Sequence, residues 1–125
     1  MIQYTISKKN SGIYKDKGSV FNSFIYPIDN MQFLKKIISN IKLENPTANQ
    51  ICYAYRIYSQ AILNEYSVDD GEPVGSAGSP ILNVLKQKML FNTILIVVRY
   101  FGGKKLGVPG LINSYKSAAL NSINE

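Results

Sequence analysis

The chain has 125 residues, 46% of them hydrophobic, with a net charge of +6 from 14 Lys+Arg and 8 Asp+Glu, a single cysteine and no histidine. That length suffices for one domain with its own core, and the apolar fraction excludes a disordered chain. A lone thiol excludes an internal disulfide, and the missing imidazole excludes the usual zinc arrangements and nucleophile–histidine catalysis.

In chain order, Met1 to Ile6 alternates apolar and polar residues as a short strand does, and Asn10-Ser11-Gly12 is a turn signal. Val20 to Ile28 (VFNSFIYPI) is a second strand, rich in aromatic and β-branched residues, with Pro27 near its end. Asp29 or Asn30 can cap a helix in which Met31, Leu34, Ile37, Ile38 and Ile41 share a face and Lys35, Lys36 and Lys42 point outward. Asn45-Pro46 stops it. Ile51 to Tyr58 (ICYAYRIY) is a third strand, with Ala61 to Val68 as its hairpin partner.

Asp69 to Pro80 (DDGEPVGSAGSP) is a loop whose Ser79-Pro80 offers an N-cap and first-turn pair for a helix through Ile81, Leu82, Val84 and Leu85. Phe91 to Val98 (FNTILIVV) is almost continuously apolar, as a strand covered on both faces should be. After RYFGGKKLGVPGL at 99 to 111, residues Leu111, Ile112, Tyr115, Ala118, Ala119 and Ile123 follow the spacing of an amphipathic terminal helix. The order β-β-α-β-β-α-β-α predicts an α+β two-layer sandwich. Its sheet is mainly antiparallel, with helices on one face, and residues 1–125 form a single domain.

Two loops can carry chemistry. Asp69, Asp70 and Glu72 place three carboxylates within four residues, enough to ligate magnesium or to act as acid and base. The plainer reading is a solvated turn whose carboxylates accept backbone amides. Gly75, Ser76 and Gly78 could present bare amides at a helix N-terminus, which suits an anion. In the second loop Gly102 and Gly103 could expose amides beside Lys104 and Lys105, with Arg99 at the strand's end. Such a cluster would hold a phosphate or an RNA backbone; equally it could be a tight connection with lysines facing water. Tyr53 and Tyr55 share one strand face, either as a stacking platform or as sheet packing.

DDGEPVGSAGSPILNVL at 69–85 and VVRYFGGKKLGVPGLINSYKSAA at 97–119, with CYAYRI at 52–57 and KGSVF at 17–21, resemble the signature of the Impact family, whose bacterial members include the YigZ-like proteins. The resemblance implies a fold similar to the second domain of ribosomal protein S5. It also implies a role in translation, since eukaryotic members bind a ribosome-associated activator and restrain a starvation-responsive kinase. Departures are visible. Gln50 stands where the family usually has histidine, Val20 where a basic residue is usual, and Pro109 replaces a glycine. Since the sequence ends at Glu125, the ferredoxin-like C-terminal domain common among bacterial members is not expected.

The combined expectation is a non-enzymatic binding domain with no catalytic residue, metal or cofactor. It would engage RNA, the ribosome or a translation-associated protein through Arg99, Lys104 and Lys105 with the amides of Gly75, Ser76, Gly78, Gly102 and Gly103. The alternative is an enzyme or sensor for a phosphorylated small molecule or nucleotide that uses Asp69, Asp70 and Glu72. The opening MIQYTISKKN is too polar for a signal peptide and no apolar run nears the ~18–20 residues of a membrane span, so a cytoplasmic location is expected.

Overall fold

A computed structural model describes residues 2–123. The elements are β1 (Asn10–Asp16), β2 (Ser19–Pro27), α1 (Met31–Glu44), β3 (Gln50–Ser59), β4 (Ile62–Val68), α2 (Gly78–Gln87), β5 (Thr93–Tyr100) and α3 (Gly107–Ile123). The five strands form one antiparallel sheet in the order β1-β2-β5-β3-β4.

The last strand in sequence is therefore the central strand in space. Seven of its eight residues, Thr93 to Arg99, are buried, which is what a run of Ile, Leu and Val without polar alternation requires. One face of the sheet presents Phe21, Ile25, Cys52, Ala54, Leu95 and Val97 to α2 and α3. The other presents Ile51, Ile57, Ile94, Ile96 and Val98 to Leu34, Ile37 and Ile41 of α1.

The α+β class and antiparallel sheet are as read from sequence, but the expected stacking of every helix on one face is met only by α2 and α3. A central strand apolar on both sides leaves about 25 cal/mol of unfavourable exposure per Å² on whichever face goes uncovered, and α1 supplies that cover. Asn30 caps α1, its Oδ1 accepting the Phe33 amide at 2.7 Å, and Asn45 ends it by donating from Nδ2 to the Ile41 carbonyl at 2.9 Å. The sequence offered Asp29 or Asn30 for the first role and Asn45-Pro46 as the stop.

The first strand was misplaced. Met1 lies outside the described residues, and residues 2–6 form no strand beyond an isolated parallel bridge from Tyr4 to Leu90. The strand is instead NSGIYKD, which begins on the triplet read as a turn. It hides because it is a mostly polar edge strand with a glycine inside. Gly12 is there for close approach: a Cβ would stand 2.5 Å from the carbonyl carbon of Asn121 in α3. The hairpin to β2 turns at Lys17-Gly18, both at positive φ (48° and 83°), as two-residue β-turns of the primed type need.

Tyr53 and Tyr55 are half-buried against the α1 face, and Tyr55 meets Tyr66 of β4 at a ring distance of 5.8 Å, so this pair packs the sheet.

Candidate functional site

The two glycine-rich loops meet at the end of the sheet where β5 and β3 carry Arg99 and Gln50 side by side. Each acidic residue of the first loop has a defined partner. The Asp69 carboxylate accepts three amides: Gly75 at 3.0 Å through Oδ2, and Ala77 and Gly78 at 3.2 and 2.8 Å through Oδ1. Asp70 Oδ2 accepts the Ile51 amide at 2.7 Å and so ties the loop to β3.

Glu72 is buried. One oxygen, Oε2, accepts from Arg99 Nη1 and from the Tyr115 hydroxyl, each at 2.6 Å. Asp69 and Asp70 thus accept backbone amides, whereas Glu72 departs from the reading of a solvated turn: it is buried and bonded to two side chains.

This arrangement also corrects the start of α2. Ser79 was read as its cap, yet the helix begins at Gly78 and its Ala77 cap position has no side-chain bond of its own. The anion at this N-terminus is Asp69, a residue nine positions upstream of Gly78. The amides of Gly75 and Gly78 are spent on it, and the Ser76 hydroxyl and amide both donate to the Pro73 carbonyl, at 2.6 and 3.0 Å. None of these groups is offered to a ligand.

Arg99 is likewise internal. It is 5% exposed, so it cannot serve as a surface anchor. Its guanidinium sits between the rings of Phe21 and Phe101, 5.4 and 5.5 Å from their centres. Besides the Glu72 pair it lies 3.3 Å from Ser19 Oγ, and its Nε is buried with no hydrogen-bond partner. Gly102 donates to the same Ser19 oxygen at 3.2 Å. A Cβ on Gly102 would stand 2.0 Å from the Gly18 carbonyl carbon, so the second loop packs directly against the β1–β2 turn. The Gly102 amide is therefore structural. Gly103, at φ 86°, bends the chain outward, and Lys104 and Lys105 are exposed beyond it.

Beneath the Glu72–Tyr115 pair lies Cys52, its Sγ 3.1 Å from the Asp69 carbonyl and 3.4 Å from the Tyr115 hydroxyl. Burial, outweighing the hydrogen bond to Tyr115, pushes its thiol up to about 12, and burial raises the Tyr115 hydroxyl as well. A thiol whose folded pKa exceeds its unfolded value stabilises the fold fully below the unfolded value, 9.0, and that contribution is lost as pH rises toward 12. Cys52 should accordingly resist a disulfide exchange reagent in the native protein at pH near 8 and react at once in denaturant, while stability should begin to fall above pH 9. Rapid labelling of the folded chain would contradict the buried placement.

Where the loops meet, a pocket of about 460 Å³ opens between Glu72 and Pro73 on one side and Phe101, Lys105, Leu106, Gly107 and Val108 on the other, with Arg99 at its wall and Asn49 and Gln50 along its edge. Asn49 holds the rim in place, its Oδ1 accepting the Phe101 amide at 2.8 Å and its amide donating to the Arg99 carbonyl at 2.9 Å. Three large apolar side chains stand open around this end: Val74 at 97% exposure, Phe101 at 48% and Val108 at 45%. Of the residues singled out from sequence, Arg99, Lys105 and Glu72 converge on the pocket; Gly102, Gly103 and Lys104 lie on the loop beside it; Gly75, Ser76 and Gly78 face inward. Asn49, Phe101 and Leu106 went unnoticed, because nothing in their local sequence marks a pocket wall.

A model of the Impact N-terminal domain matches residues 17–123. The IMPACT family member YvyE of Bacillus subtilis is 41% identical over 93 residues, covering 74% of this chain and 42% of that protein. YigZ of Escherichia coli is 32% identical over 100 residues (79% and 49%), and protein IMPACT of Rattus norvegicus 32% over 117 residues (88% and 35%). The chain thus spans less than half the length of these relatives.

A crystal structure described as that of a hypothetical protein superimposes with a TM-score of 0.89 at 26% identity, covering 97% of this chain and 59% of that one. The two-domain translational regulator Yih1 superimposes at 0.61 and 23% identity over 98% and 48%, a likeness of fold. With nearly all of its described residues inside the family model and both signature loops building one end of the sheet, this chain belongs to the Impact family.

Proposed function

We propose that the domain is a non-enzymatic binding module that docks a translation-associated protein on the face around the 101–107 connection. One observation carries this reading: exposed lysines stand next to exposed apolar side chains. Lys104 and Lys105 share a rim with Phe101 and Val108, while the carboxylates nearby are tied to backbone amides or to Arg99. A mixed apolar and basic rim suits an acidic protein surface with apolar anchors; the aliphatic Val108 and Val74 offer nothing for bases to stack on, which favours protein over RNA. Family membership supports the setting in translation by analogy.

The catalytic alternative has less support. Asp69 and Asp70 each spend an oxygen or two on backbone amides, and Glu72 is paired with Arg99.

Lys104→Glu with Lys105→Glu should weaken sedimentation with ribosome-bound material by roughly tenfold or more and flatten its salt dependence, since both changes put like charge against an acidic partner. Sedimentation that survives nuclease treatment identifies a protein partner. Loss on nuclease treatment identifies RNA and overturns the protein reading, and binding unchanged by the double reversal removes this face from the site altogether.

A further inference from the structure

We propose that the open edge of the sheet at β4 pairs with β4 of a second copy of this chain, antiparallel across a two-fold axis, joining two sheets into one. The sheet has two edges, β1 and β4, and the fold treats them differently. The turns decide which backbone groups point out. The Lys17-Gly18 turn closes on Asp16 and Ser19, and the Gln60-Ala61 turn on Ser59 and Ile62, all four turn residues being at positive φ. A two-residue turn of this type makes its flanking residues a hydrogen-bonded pair, and bonding alternates from there. Ser11, Ile13 and Lys15 of β1 therefore direct their amides and carbonyls outward, as do Leu63, Glu65 and Ser67 of β4. Tyr58, opposite Leu63, agrees with this phase: its amide is turned away from β4 and donates to Asn92 Oδ1 at 2.9 Å.

The β1 edge is closed. Asn121 of α3 donates from Nδ2 to the outward Ile13 carbonyl at 2.8 Å, and the helix backbone presses on Gly12. At β4 the outward groups of Leu63, Glu65 and Ser67 have no backbone partner among the described residues. Natural edges are guarded by lysine, proline, a bulge or a covering element. The strand ILNEYSV has neither lysine nor proline, and its register against β3 runs unbroken from Ser59–Ile62 to Tyr53–Val68. Its one charge, Glu65, is bonded to Arg56 at 2.7 Å. Ile62 and Tyr66, 65% and 54% exposed, stand open on one face of it.

An edge with no free charge selects an uncharged strand of alternating apolar residues, and β4 is itself such a strand. About a two-fold axis through Glu65, Leu63 faces the partner's Ser67, Glu65 the partner's Glu65 and Ser67 the partner's Leu63, so every outward position becomes a hydrogen-bonded pair. On the open face Ile62 meets the partner's Val68 and Asn64 the partner's Tyr66, each pair made twice. The two Glu65 carboxylates are opposed, but each keeps its own Arg56, so the cluster is neutral. A slip of two residues leaves one outward position of each copy unpaired. A seven-residue edge buries less than the ~800 Å² per partner of a standard interface, so the dimer is weak and appears with concentration.

The test follows the purified full chain from about 10 µM to about 1 mM by sedimentation velocity and by amide hydrogen exchange in proton–nitrogen spectra. No other macromolecule is present, so its outcome is separate from that of the docking reading. The mass should rise toward that of a dimer. The amides of Leu63, Glu65 and Ser67 should exchange fast in dilute solution and slow with concentration, while those of Asn64 and Tyr66 are protected throughout by β3. Ile62→Lys and Tyr66→Lys, both at exposed positions, should each weaken association by at least roughly tenfold. Ile13→Lys, exposed on the closed edge, should leave it unchanged. Three results overturn the assignment: a chain still monomeric at the top of the range, which leaves the edge to a strand from another protein, a dimer whose newly protected amides lie elsewhere, or association indifferent to both β4 lysines.

Discussion

Arg99→Met should destabilise the domain by about 3–5 kcal/mol, the usual cost of removing one partner from a buried ion pair. The Glu72 side chain is 6% exposed and would be left with only the Tyr115 hydroxyl donating to it. The rings of Phe21 and Phe101 would also lose the cation between them. Glu72→Gln should cost a comparable amount, because it leaves the guanidinium buried without a counter-charge. The two changes together should cost clearly less than their sum, since the second removes the charge that the first leaves stranded. Urea unfolding of the four proteins completes the cycle. A loss below about 1 kcal/mol for Arg99→Met would place the pair among solvent-screened surface bridges and sink the structural role given to it here.

Asp69→Ala should cost about 3 kcal/mol, for a different reason. Three amides, those of Gly75, Ala77 and Gly78, lose their acceptor at once, and an unmet buried donor costs about 1–3 kcal/mol, less than additively when neighbours relax together. The helix also loses the charge at its N-terminus, where cap removal alone costs roughly 0.5–2 kcal/mol. Asp69→Asn keeps an acceptor oxygen but puts a donor opposite the other amides, so it should fall between wild type and alanine. Hydrogen exchange locates the effect: protection should drop first at Gly75, Ala77 and Gly78, ahead of β5. Uniform loss across the sheet would mean that Asp69 acts on the whole core and not on this loop.

Those two residues show how far local pattern reaches. Strands β2, β3 and β5 and all three helices announce themselves, because their apolar spacing is dictated by which side meets a neighbour. β1 escapes for the same reason: an edge strand with half-exposed, mostly polar residues has no strong pattern to show. The two aspartates in DDGEP were legible as amide acceptors, yet which amides they would meet was not, and nothing local marked Glu72 as the partner of buried side chains. Asp69 reaches Gly78 over nine positions, and Glu72 reaches Arg99 over 27 and Tyr115 over 43. Arg99 reads as a basic residue at a loop mouth and ends as the inner half of a salt bridge.

By itself the sequence determined the α+β class, the element order and the covering of an apolar strand on both faces, which follow from local spacing and composition, while the two loops showed the family by resemblance. The tertiary structure decided the division of helices between the two faces and the inward turn of the glycine amides. It also decided the burial of Arg99 and the pocket at α3. These depend on contacts between residues far apart in the chain, where a charge's meaning is set by whether its neighbour is water, a backbone amide or an opposite charge.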